Sequence, residues 1–202
     1  MKRIKLGDKV FKPFISTPHI EEATRGIAAA LNEKFKNETE PVIFLTVLNG
    51  AVPFASSLFM KLKFPVLFDT VKVSSYEGTT RGSINFEKAP SIDLNKKKVI
   101  IVEDIIDTGQ TVDYLKMYLE TRGTIDITIT SLLIKPDVYK EHHPEFTQWG
   151  LISGEYQDKM LIGITITNDF VVGYGLDYDG LGRNLNKIYV LDQERIKENK
   201  EE

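Results

Sequence analysis

One stretch limits the folds open to this chain more than any other: Lys98-Val-Ile-Ile-Val-Glu-Asp-Ile-Ile-Asp-Thr-Gly-Gln-Thr111. Val99, Ile100, Ile101 and Val102 are β-branched and uninterrupted by polar residues, the pattern of a parallel strand covered on both faces and lying mid-sheet. Glu103 and Asp104 fall at its carboxyl end, the side on which open α/β sheets bind ligands. Asp107, Thr108, Gly109, Gln110 and Thr111 follow where the next helix should begin. Unpaired N–H groups at a helix start carry partial positive charge and favour a phosphate. Gly109 allows close backbone approach or a positive φ, and Thr108 and Thr111 add hydroxyl donors. The loop reads as a monophosphate cradle. The same residues also suit an N-capped helix after a core strand, with Asp107 or Thr108 as the cap.

The flanking sequence alternates between the two periodicities. Ile20, Ala23, Ile27, Leu31 and Phe35 recur at helical steps. Thr17-Pro18 reads as cap and first helical position, with Glu21 and Glu22 in the first turn. A buried strand over Val42–Leu48 ends at Asn49-Gly50, before a helix near Val52–Leu62 whose Pro53 suits a first turn. Val66–Val73 and Ile125–Ile134 read as strands, and Val112, Leu115, Tyr118 and Leu119 as a helical face closed by Gly123. Shorter strands are expected at Val10–Ile15 (an edge), Leu161–Ile166, Phe170–Tyr174 and Ile188–Leu191. Ser74–Ser83 is polar and lacks either period, so it reads as a mobile excursion or, more simply, a hairpin loop between Lys72 and Phe86. Tyr139–Thr147 reads as a polar connection, and Asp192 onward as a solvated tail. The pattern predicts an α/β fold: an open, mainly parallel twisted sheet flanked by helices.

Several chemistries are excluded. Cysteine is absent from the 202 residues, so disulfides and thiolate zinc sites are too. His19, His142 and His143 lack metal-ligand spacing, and His142-His143 reads as part of a wet loop. Gly173-Tyr-Gly175 has Tyr178 where a dinucleotide motif needs its third glycine, and neither a P-loop nor a Gly-x-Ser-x-Gly elbow occurs. No apolar run suggests a signal peptide or membrane span, which predicts a cytoplasmic protein. A net charge of −3 and a pI near 5.7 argue against a nucleic-acid partner and require local groups to hold any anionic substrate.

Val102-Glu-Asp-Ile-Ile-Asp-Thr-Gly-Gln-Thr111 resembles the phosphoribosyl diphosphate signature of type I phosphoribosyltransferases: hydrophobics, two acids, two hydrophobics, then Asp-Thr-Gly-x-Thr. Asn168-Asp-Phe-Val-Val-Gly-Tyr-Gly-Leu-Asp-Tyr178 resembles the purine-binding segment of the hypoxanthine-guanine members. The resemblance implies that Glu103 and Asp104 hold the ribose hydroxyls directly or through Mg2+, and that residues 107–111 bind the 5′-phosphate. It further implies that Asp107 binds or removes the N7 proton, Lys135 donates to the 6-oxo group, Phe170 stacks on the base, and Val171 offers backbone groups to its edge. Asp177 would help bind magnesium, Arg183 would meet pyrophosphate, and Ser75-Tyr76 would begin a lid. Taken singly, Lys135 is also an ordinary strand-end lysine, Phe170 and Val171 core strand, Asp177 a turn residue and Arg183 a solvated charge.

The early pyrophosphate loop departs from the family pattern. Many members have Leu-Lys-Gly-Gly there, often with a cis peptide, whereas this chain has Leu48-Asn49-Gly50-Ala51. Without the lysine and the second glycine, Asn49 and Gly50 are left with backbone amides for pyrophosphate. The resemblance implies one phosphoribosyltransferase domain, with a core at about 20–140, a hood at about 1–16 and 145–191 and a charged tail at 192–202. It also implies a homodimer or homotetramer, and transfer of 5-phosphoribosyl to hypoxanthine or guanine. The competing expectations are a xanthine-preferring enzyme and an RNA-binding regulator of the same fold, the latter disfavoured by the acidic pI.

Overall fold

The computed structural model describes residues 2–75, 84–144 and 160–193. Its centre is a six-stranded sheet of β3 (Val42–Val47), β4 (Val66–Ser75), β5 (Ile84–Lys88), β6 (Lys98–Ile106), β7 (Asp126–Ile134) and β8 (Met160–Thr165), in the order β5-β4-β3-β6-β7-β8. All pairings are parallel except β4 with β5. The apolar run of β6 therefore lies between β3 and β7, and Val99 to Val102 are fully buried.

Strand alternation sends successive β6 residues to opposite faces. Ile100 and Val102 join a cluster with α1 (Thr17–Lys34) and α2 (Val52–Phe59). Val99 and Ile101 join one with α3 (Gln110–Thr121) through Val112, Leu115 and Leu119. Burial of such side chains contributes roughly 1.5–3 kcal/mol each, so both helix layers are held by the same strand. The predicted stripe on α1 is inside throughout, from Ile20 to Phe35.

A second, antiparallel sheet runs β1 (Ile4–Leu6), β2 (Lys9–Ile15), β10 (Ile188–Leu191) and β9 (Val171–Val172), in the order β1-β2-β10-β9. Phe11, Val172 and Tyr189 form its buried centre. Val10–Ile15 was expected at an edge, but Gly7, with φ +56°, turns the chain so that β1 covers it. The extended run expected over Phe170–Tyr174 stops at Val172, because Gly173 and Tyr174 both have positive φ. β8 belongs to the main sheet, so the segment 145–191 is not all hood; residues 145–159 lie outside the described residues.

Other corrections are local. Thr17 is the first helical residue rather than the cap: Ser16 is extended, Thr17 Oγ1 donates to the Asn186 carbonyl, and Glu21 and Glu22 fall beyond the first turn. Residues Pro136–His142 form a helix, α4, where a polar connection was expected. Asp192 is not solvated; it is fully buried and accepts a 2.6 Å bond from Arg3 Nε. The hairpin expected between Lys72 and Phe86 is present as the β4–β5 ladder, and its tip, 76–83, lies outside the described residues.

Candidate active site

The carboxyl ends of β6 and β7 and the chain leaving β8 form one rim. The Lys135 N–H bonds the Ile106 carbonyl at 3.0 Å, and the Ile166 N–H bonds that of Ile134 at 2.9 Å. Glu103 and Asp104 emerge from β6 here. Glu103 is buried, and loss of solvent, reinforced by Asp104 beside it, pushes its carboxyl well above the usual range. Asp104 is raised to about 6, chiefly by burial; the Ile105 N–H and Arg183 oppose the shift, and Asp177 adds to it. Two adjacent acids that resist ionisation suit a ligand bringing hydroxyl donors or a cation.

The β6–α3 loop follows. Gly109 has φ +84° and is buried, which a side-chain-bearing residue would resist. No side chain caps α3, although Thr108 Oγ1 accepts a long 3.4 Å bond from the Gln110 N–H. The plain-cap alternative for Asp107 thus fails: its Oδ2 instead takes a 2.8 Å bond from Lys135 Nζ. Lys135 is 8% exposed, so its ammonium is held largely out of water by this one carboxylate.

Across the rim, the Leu48–Asn49 peptide is cis. Gly50 lies so close to Asp104 that a Cβ would sit 1.7 Å from Oδ2. A Cβ on Gly175 would come within 1.9 Å of the Gly50 carbonyl oxygen, so the hood segment presses on the same loop. That segment folds back on itself through Tyr174 N–H to Leu185 O and Gly175 N–H to Arg183 O. Asp177 and Arg183 thereby meet: Arg183 Nη2 is 2.8 Å from Asp177 Oδ1, and Nη1 donates to the Gly175 carbonyl at 2.8 Å. Asn49 is exposed, leaving its side chain in solvent.

Phe170 is 42% exposed and rests on Phe11 and edge-on against Tyr178, with centroids 6.2 and 5.9 Å away. The Leu191 N–H bonds the Phe170 carbonyl, and Val190 is opposite Val171. By the alternation of antiparallel ladders, Val171's own N–H and C=O point away from β10, off the edge of the sheet formed by the described residues. Ser75 ends β4, paired with Ile84, whereas Tyr76 lies outside the described residues.

Two features escaped sequence reasoning. Lys9 Nζ stands 4.1 Å from the Tyr178 ring centroid, whose hydroxyl donates to Asp8. Tyr139 and His143 stack beside Gly109. The second was readable: Pro136-Asp137 is a helix start, and Tyr139 and His143 share its face at a four-residue step.

Among the described residues no group of three or more His, Cys, Asp or Glu could hold a metal, and no helix is long and apolar enough to cross a membrane. Magnesium differs from zinc in taking only one or two carboxylates, with water and substrate phosphate completing its shell. Glu103, Asp104 and Asp177 are hard oxygen donors of the kind that ion takes, and one or two of them suffice for it, with Asp177 paired to Arg183 in this structure.

The α/β rim thus carries paired acids and a glycine-bearing loop at a helix start, with the hood segment pressing on the β3–α2 loop beside them. The family model for the phosphoribosyl transferase domain matches residues 15–179, and the chain belongs to this family of enzymes. Similarity narrows it to the purine-salvage members. A hypoxanthine-guanine phosphoribosyltransferase of Lactococcus lactis is 34% identical over 94% of this chain and 95% of its own length. One from Mycobacterium avium is 34% identical over 86% of this chain and 79% of its own length. A crystal structure of the Bacillus anthracis hypoxanthine-guanine enzyme superposes with TM-score 0.75 at 30% identity, covering 91% of this chain and 98% of that one. A Trypanosoma cruzi hypoxanthine phosphoribosyltransferase mutant complexed with the product IMP gives 0.77 at 26% identity, covering 97% and 98%.

Proposed function

We propose that the chain transfers the 5-phosphoribosyl group of 5-phosphoribosyl 1-diphosphate to N9 of hypoxanthine or guanine, yielding IMP or GMP and pyrophosphate. The carrying observation is the Lys135–Asp107 pair at 2.8 Å, a donor and an acceptor side by side next to the phosphate loop. A 6-oxopurine presents the complementary order, an oxygen at C6 and a nitrogen that bears or loses a proton at N7. Adenine would place an amino group against the ammonium of Lys135, leaving buried donors unmatched.

The remaining residues take their parts from position. Thr108 to Thr111 offer amides and hydroxyls to the 5′-phosphate at the start of α3. Glu103 and Asp104 accept from the ribose 2′- and 3′-hydroxyls. Phe170 stacks on the base, and Val171 meets its edge through the free N–H and C=O. Asn49 and Gly50 bind pyrophosphate through backbone amides, aided by Arg183 once substrate draws it from Asp177.

The C1–diphosphate bond breaks ahead of attack, so positive charge develops on the ribose. Arg183 stabilises the departing diphosphate, and Asp107 accepts the N7 proton as N9 bonds to C1. Ser75 and Tyr76 begin the lid that excludes water from the cationic centre. Magnesium, when bound, neutralises charge on the diphosphate, and Asp177 with the Glu103–Asp104 pair would hold it on the protein side.

The protein acts in the cytoplasm, where the highly charged phosphoribosyl diphosphate is retained, and self-associates as a homodimer or homotetramer. Met60, Leu67 and Phe68, 81%, 40% and 49% exposed, supply apolar surface for the second claim. The deciding experiment is a panel of hypoxanthine, guanine, xanthine, adenine and orotate with phosphoribosyl diphosphate and magnesium. Turnover confined to hypoxanthine and guanine is expected; a preference for xanthine, or no turnover beside RNA binding in a low-salt gel shift, would overturn it.

A further inference from the structure

We infer that Tyr139 and His143 are positioning residues for the 5′-phosphate end of the substrate, forming with Asp113 a brace that fixes the backbone of residues 107–111. The inference rests on that loop being the phosphate site. Its basis is contact with Gly109: a Cβ there would lie 2.6 Å from Tyr139 Cε2 and 2.8 Å from His143 Nε2, so both rings abut the loop backbone itself. The rings stack at 4.1 Å with 13° between planes, and Tyr139 is 6% exposed. They present a flat, rigid wall rather than a pair of mobile side chains.

The wall is tied at both ends. His143 Nε2 stands 3.2 Å from Asp113 Oδ2, and the Asp113 N–H bonds the Gly109 carbonyl at 3.0 Å. The brace thus grips the loop and the first turn of α3 together. At the other end, the Tyr139 N–H bonds the Lys135 carbonyl, so the helix carrying the rings starts at the residue assigned to the purine. A glycine with positive φ is the most conformationally free point of the loop, and the amides on either side of it must converge on one phosphate. Removing that freedom before substrate arrives reduces the ordering cost of binding. The rings meet the loop at Gly109, among the residues given to the 5′-phosphate, so the brace acts chiefly on phosphoribosyl diphosphate rather than on the base.

The test uses the full chain in steady-state assays with both substrates varied, alongside thermal denaturation. His143→Ala should raise KM for phosphoribosyl diphosphate by about tenfold or more, the scale of misplaced positioning groups. KM for hypoxanthine should change by less than about twofold, since the base contacts are untouched. His143→Phe, which keeps the stack, should recover part of the loss. Should His143→Ala fold poorly, His143→Gln keeps a donor for Asp113 and carries the same comparison. An unchanged KM for phosphoribosyl diphosphate, or equal changes in both KM values tracking a lowered Tm, would overturn the brace. Thr111→Val separates this from the underlying reading: if it too leaves KM for phosphoribosyl diphosphate unchanged, the loop is not the phosphate site. If it raises that KM while His143→Ala does not, only the brace is wrong.

Discussion

On the proposed mechanism Asp107 carries more of the chemistry than any other side chain on the rim, and its pairing with Lys135 makes that role testable. Because it does not cap α3, replacement by Asn leaves the helix start as it is, yet removes the proton acceptor. Asp107→Asn should lower the chemical step by about 10²–10⁴-fold with phosphoribosyl diphosphate affinity near wild type, while Tm falls because the buried Lys135 ammonium loses its carboxylate. Single-turnover measurement is the check, because slow product release can mask the step in steady state. Lys135→Ala should raise KM for hypoxanthine and guanine by the equivalent of about 1–3 kcal/mol, while the phosphate contacts persist. Asp104 gives a prediction in stability. Its carboxyl, raised to about 6 in the folded protein from the ordinary aspartate value of 3.8, holds a proton over a range where the unfolded chain has released it. Stability of the metal-free protein therefore falls as pH rises from about 4 to 6, by on the order of 1–3 kcal/mol. Asp104→Asn should flatten this part of the profile and raise Tm above pH 7, while abolishing turnover. A Tm–pH curve for the variant parallel to the parent's would contradict the account.

At the level of elements, the loop between β3 and α2 is built around Gly50, since any side chain there collides with the Asp104 carboxylate. Gly50→Ala should displace that carboxylate and reduce kcat/KM by at least about tenfold with little change in far-UV circular dichroism. Elements like β6 were legible from sequence because burial on both faces leaves an unbroken β-branched run, and α1 because one buried stripe repeats at helical spacing. The proximity of Glu103, Asp104 and Asp107 was legible for the same reason, being local to one strand-loop-helix unit. What sequence did not reveal depends on partners distant in the chain. β2 became an inner strand only because a turn at Gly7 folds β1 onto it. Asp192 became a core acid because Arg3 and Lys12, from the other end of the chain, reach it. The Lys135–Asp107 pair spans two strands, and no spacing rule announces it. Helix α4 had only its start signal, Pro136-Asp137, to announce it, because its short polar sequence buries just Tyr139 and builds no periodic stripe.

On the proposed reading the whole molecule divides its labour: the main sheet presents the phosphate and ribose groups with Lys135 and Asp107, and the antiparallel hood presents Phe170 and Val171. Turnover should therefore depend on a divalent cation, which Asp104 of the sheet and Asp177 of the hood would help to hold. Excess chelator should abolish activity without unfolding either sheet, checked by assay and circular dichroism in the same buffer; full turnover under those conditions would remove magnesium from the scheme. The way the hood is assembled carries a consequence in time rather than space. Its strands come from stretches nearly the whole chain apart, with Arg3 joined to Asp192 and Lys12 opposite Val190. On a ribosome the amino-terminal strands emerge long before β9 and β10 exist, so β2 waits with an unmatched edge while the phosphate-binding core is already complete. A partly made chain can thus own the proposed phosphoribose cradle and the Lys135–Asp107 pair, yet lack the Phe170 and Val171 side of the purine site until β10 arrives.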